Sequence, residues 1–152
     1  MIIAIDPGKV SGLALWDERH PLTIHSHEET PISTVDYVAS ACNIFTDVTV
    51  VTEKFTISER TIKTALSLDA LDINGWLTIE SPRMGFDLHF QMPSQAKAFS
   101  TDEKLKALDW YERTKDGHAN DAARHLLVYL ITKVPSAREA LLPSLARIIL
   151  PS

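Results

Sequence analysis

The residues best equipped for chemistry in this sequence are Asp6, Glu53, His118 and Asp121. Asp6 ends the apolar run Met1–Ile5 and precedes Pro7-Gly8. A lone carboxylate is expensive in a sheet interior, so Asp6 is either a solvated turn residue or a ligand for something. Glu53 ends a second, β-branched run, Asp47-Val-Thr-Val-Val-Thr-Glu53. His118, Asp121, Ala122, His125 and Tyr129 follow the spacing i, i+3, i+4, i+7 and i+11, which is one stripe of a helix. Taken singly, His118 reads as a solvated first-turn residue and Asp121 as an acid favoured by the helix dipole. Taken together, they supply oxygen and nitrogen ligands of the kind that Mg²⁺ accepts. Two such ions about 3.5–4 Å apart can activate a water and stabilise the leaving oxygen of a phosphodiester. One carboxylate must then bridge both ions, and Asp6 is the natural bridge. His125, one turn behind Asp121, reads as a supporting or core residue.

Several elements must position this set. Met1–Ile5, Gly12–Trp16 and Leu22–Ser26 read as an antiparallel meander of three strands. Pro31–Phe45 reads as a helix capped by Ser33 or Thr34, and Asp47–Glu53 as the fourth strand. A strand, a helical crossover and a parallel strand would bring Asp6 and Glu53 to the same sheet edge. Glu59–Ile79 reads as a long helix with Ile62, Ala65, Leu66, Ala70, Ile73, Trp76 and Leu77 on its broad apolar face. Leu68, Leu71 and Ile79 form a second stripe, suited to a dimer contact. Asp87–Gln91 is a short strand, and Ser100-x-x-Glu103 is a capping-box signature for a helix from Thr101 to Arg113. His118–Lys133 is strongly helical, and Ser136-x-x-Glu139 opens a last helix.

Composition agrees with a soluble globular chain: 152 residues, 45% apolar and 23% charged. The expectation is one domain, residues 1–152, with no signal peptide, no membrane span and a reducing, cytoplasmic setting consistent with the single Cys42. The net charge of −5 argues against nucleic acid. Its distribution is uneven, however. Residues 1–53 hold eight acids against Lys9 and Arg19, and bound cations would offset that excess. Lys9 and Arg124 read as surface charge.

Asp6-Pro7-Gly8 with Gly12, Glu53 at the end of the fourth strand, and His118-x-x-Asp121 opening a late helix resemble the RuvC-type Holliday-junction resolvases of the RNase H-like superfamily. The resemblance runs through nearly the whole chain and includes Pro93-Ser-Gln-Ala-Lys97, similar to the family's Pro-x-x-x-Lys. It implies an α/β, RNase H-like fold: a five-stranded mixed sheet, its first three strands an antiparallel meander, flanked by helices. It also implies that Asp6, Glu53, His118 and Asp121 hold two Mg²⁺ ions per site, with Mn²⁺ able to substitute. Family members carry either an acid or a His at the position of His118. Lys97 and Lys104 would meet phosphates, and Lys54 and Phe55 would contact DNA, Phe55 by stacking on a base. The implied activity is cleavage of four-way DNA junctions by paired symmetric nicks, leaving 5′-phosphate and 3′-hydroxyl ends. A homodimer pairing through the 59–79 helix would make the two cuts, in a bacterial or phage-infected cell.

Other readings have different consequences. A compact phage enzyme would cut flaps and other branched DNA more broadly. An actin-like ATP-binding domain shares the sheet, but it needs a second domain and glycine-rich phosphate turns, and this chain has five glycines. A non-catalytic DNA-binding scaffold would not need competent residues at all four ligand positions.

Overall fold

The structure is a computed structural model and describes residues 1–54, 68–114 and 116–149. Among these residues, strands β1 (Ile2–Asp6), β2 (Ser11–Trp16), β3 (Ile24–Glu29), β4 (Thr49–Glu53) and β5 (Asp87–Gln91) form a sheet ordered β3-β2-β1-β4-β5. The first three make the antiparallel meander, and β4 and β5 lie parallel to β1. Helices α1 (Pro31–Ile44) and α2 (Asp69–Met84) cover one face. The other face carries α3 (Pro93–Phe99), α4 (Asp102–Ala107), α5 (His118–Lys133) and α6 (Pro135–Ile149).

Strand alternation divides the core. Ile3, Ile5, Leu13, Leu15 and Val50 point toward α1 and α2, where Val38, Ile73 and Leu77 meet them. Ile2, Ala4, Ala14, Trp16 and Val51 point toward α5 and its Ala122, Ala123, Leu126 and Leu130. A strand buried on both faces reads as a continuous apolar run, which is why β1 was visible as one. The α5 side continues through Asp6 and Glu53. Register pairs Asp6 with Gly12, Gly12 with Glu28, Ile5 with Thr52 and Glu53 with Gln91. Glu28, Gly12, Asp6, Glu53 and Gln91 therefore form one row across the end of the sheet, on the α5 face.

Several boundaries differ from the sequence expectation. Strand β3 extends to Glu29, beyond the expected Ser26; all of it after Ile24, His25-Ser-His-Glu-Glu29, is polar, lies on an edge strand and shows no apolar period. Helix α1 is capped by Thr30, whose Oγ1 accepts the Ser33 amide at 3.2 Å, and neither Ser33 nor Thr34 is its cap. Pro31 at the first helical position favours that start. Helix α2 runs past Ile79, through Pro82, to Gly85, which ends it at φ 76°. The expected start of that helix, with Ile62, Ala65 and Leu66, falls outside the described residues, as does Phe55.

The expected helix 101–113 is shorter, and α3 precedes it. Pro93 opens α3, and the Gln95 side chain accepts the Met92 amide at 3.2 Å. Thr101, not Ser100, is the N-cap residue of α4. Ser100 instead donates its hydroxyl to the Arg124 carbonyl at 3.2 Å. The chain leaves the helix at Asp109, with φ 59°, so that Trp110 can bury its indole and donate Nε1–H to the Leu22 carbonyl at 2.9 Å. Ser136 lies inside α6 and donates to Glu18 at 2.8 Å.

Candidate active site

The site is built where α5 starts against the end of the sheet. Ala119, Ala122 and Ala123 are fully buried and let the helix lie close to Ala4 and Ala14. Gly12 is required by that approach. A Cβ on it would fall 1.8 Å from the His118 carbonyl oxygen. The N-cap residue of α5 is Gly117, at φ 82°, which has no side chain to satisfy the first amides. Glu28 supplies the missing acceptor from the sheet: its Oε1 takes the His118 amide at 3.0 Å. A carboxylate at this helix terminus also complements the dipole.

These constraints place each acid beside a nitrogen. His118 Nδ1 donates to Asp6 Oδ2 at 2.8 Å, and the Asp6 side chain is only 13% exposed. His125, fully buried, directs Nε2 to Glu53 Oε2 at 3.1 Å, while its Nδ1 lies 2.9 Å from Gln91 Oε1. Asp121 is gripped by Arg124 through Nη1 and lies 3.5 Å from the Lys97 ammonium. Arg124 also binds Asp102 through Nη2 and donates Nε–H to the Ser100 carbonyl at 3.1 Å. It is a brace that ties the α3–α4 junction to α5, not the surface charge expected from sequence.

Burial raises the Asp6 carboxyl above its ordinary range, and the negative charges of Asp121 and Glu53 add to that effect. The hydrogen bond from His118 opposes it. Three carboxylates thus share one electrostatic neighbourhood, which favours a bound cation. Their oxygens and the imidazole suit a hard divalent ion. Among the described residues, no three His, Cys, Asp or Glu side chains are grouped to hold a metal ion. Each acid is turned toward its nitrogen partner instead. The residues fit the ion in chemistry and charge.

The expected DNA contacts fare unevenly. Lys97 is 64% exposed and stands beside Asp121. Lys54 is exposed next to Glu53, its amide donating to the Gln91 carbonyl at 2.7 Å. Lys104 is engaged elsewhere: its ammonium donates to the Phe99 carbonyl and sits 4.2 Å from the centre of the Phe99 ring. Glu28, Gln91 and Asp102 were not singled out from sequence. Only the register of β3 and β5 against β2 and β4 would have found the first two.

By fold, the chain is similar to RuvC of Thermus thermophilus. A solved structure of T. thermophilus RuvC in complex with Holliday junction substrate matches with a TM-score of 0.60 at 16% identity, covering 89% of this chain and 96% of that one. A further Thermus thermophilus RuvC structure matches at 0.52 and 16% identity, covering 92% and 96%. No protein-family model and no curated protein matches the sequence. The mixed five-stranded sheet, its opening meander and the late helix on one face therefore make up the RNase H-like fold that RuvC also has.

Proposed function

We propose that this chain is a divalent-metal-dependent endonuclease that cuts four-way DNA junctions by paired symmetric nicks. The observation that carries the reading is the row at the sheet end: Asp6 and Glu53 lie side by side, facing the first turn of α5 with His118 and Asp121. Support comes from the RuvC-like fold, solved in that relative with a Holliday junction substrate.

Asp6, Glu53, His118 and Asp121 would hold two Mg²⁺ or Mn²⁺ ions, which activate water and neutralise charge at phosphorus. The chain's own groups prepare the rest. Asp6 receives Nδ1–H of His118 and so fixes the tautomer whose Nε2 carries a lone pair. That lone pair serves as a ligand or takes a proton from the attacking water. Lys97, exposed and on a flexible stem, moves from Asp121 to a phosphate oxygen. Water oxygen bonds to phosphorus while the bond to O3′ breaks. O3′ leaves with the electron pair and takes up a proton, giving 3′-hydroxyl and 5′-phosphate ends.

Paired cuts call for a two-fold dimer. Leu68, the N-cap residue of α2, and Ile79 within the helix are eleven residues apart and 63% and 56% exposed. They are the exposed members of the Leu68, Leu71 and Ile79 stripe proposed for that contact; Leu71 is half-buried. The testing experiment compares a mobile four-way junction, a 5′-flap and a plain duplex, with the product ends mapped. Symmetric nicks on the junction with 5′-phosphate ends are expected. Equal cutting of flap and junction would replace this reading with broad debranching, as in phage DNA clearance. Failure to cut any branched DNA would overturn the nuclease reading.

A further inference from the structure

We propose that His125 is a positioning residue for Glu53, held in turn by Gln91; the inference rests on the metal-site reading above. The three residues come from three elements, β5, α5 and β4, and form an unbroken chain: Gln91 Oε1 to Nδ1 at 2.9 Å, then Nε2 to Glu53 Oε2 at 3.1 Å. The imidazole side chain is 2% exposed, and Gln91 as a whole is 9% exposed. Burial and a polar contact at each ring nitrogen fix the ring plane. Only one carboxylate oxygen of Glu53 is committed to it. Glu53 ends its strand, its backbone held by Asn74 at its carbonyl and by the Lys54–Gln91 bond just beyond, and the imidazole fixes one oxygen of its side chain. Outer partners of this kind commonly set metal affinity by about 10–100-fold.

A purely structural histidine would leave metal affinity alone, and that difference is the test. Mn²⁺ binding to the DNA-free full chain is measured by calorimetry, with melting in EDTA as the folding control. His125→Leu should weaken Mn²⁺ binding about 10- to 100-fold, and His125→Gln, which keeps a donor, should recover part of the loss. Gln91→Leu should weaken binding less than His125→Leu does, and it tests the chain even if His125→Leu does not fold. Glu53→Gln is the reference. If it weakens Mn²⁺ binding while His125→Leu and Gln91→Leu do not, the positioning role is wrong and the metal site stands. If Glu53→Gln itself has no effect, the metal assignment of Glu53 fails, and this proposal fails with it.

Discussion

Asp6 is a carboxylate kept where the fold alone would not favour one. Its carboxyl is raised chiefly by burial, then by Asp121 and Glu53, against the pull of His118. The folded chain therefore binds that proton more tightly than the unfolded chain does. Stability must fall as pH rises from the ordinary carboxyl range through the raised value. Asp6→Asn removes the charge. In EDTA at neutral pH its Tm should exceed that of the wild type by on the order of a few degrees. The gain should vanish below about pH 4, where wild-type Asp6 is protonated as well. A lower Tm at neutral pH would show that the His118–Asp6 pair outweighs the burial penalty. Arg124 makes a second residue-scale claim, since it grips Asp121 and Asp102 together. Lysine cannot reproduce that planar fork. Arg124→Lys should lower kcat on a junction about 10- to 100-fold with little change in KM. A rise in KM alone would place Arg124 on DNA and not behind Asp121.

At the scale of elements, the site depends on how α5 meets the sheet. Gly12→Ala would force its methyl into the His118 backbone. Overpacking of this kind costs about 1–3 kcal/mol, and here the displaced atoms are those that carry His118. The variant should melt earlier and cleave poorly, whereas Gly75→Ala, at a glycine with open space around it, should do neither. Glu28→Ala should cost about 0.5–2 kcal/mol through the lost cap. Full stability in Glu28→Ala would show that water satisfies the His118 amide as well as the carboxylate does. The α5 stripe was legible because its polar members recur at helical spacing beside Ala122. The same holds for His125, expected as a supporting or core residue and found buried against Glu53. Glu28 and the bracing by Arg124 were not legible, because both connect elements far apart in sequence. Helix α3 was missed for a different reason: the seven residues Pro93–Phe99 offer too little periodicity.

For the whole molecule, β1 and β4 announced themselves as apolar runs ending on acids, and their parallel pairing set both acids at one edge. That pairing explains why a mixed α/β sheet could be read from the residues, while the RNase H-like architecture came from the motif resemblance and the helix boundaries could not be read. Side-chain pairing was beyond reach, because four competent residues in the right order do not reveal which nitrogen each acid will face. Assembly carries its own prediction. Ile79→Glu should shift the sedimenting species from dimer to monomer and turn paired junction cuts into single nicks. A wild-type chain that is monomeric both alone and on a junction would remove the two-fold account. No described helix is long and apolar enough to cross a membrane.

The most direct test of the central claim is cleavage of a mobile four-way junction by wild type and Asp6→Asn across a titration of Mg²⁺, with EDTA as the zero point. Paired symmetric nicks should appear only with the metal and fall by about two to three orders of magnitude in Asp6→Asn. Cleavage that persists in EDTA, or that survives Asp6→Asn, would contradict the claim.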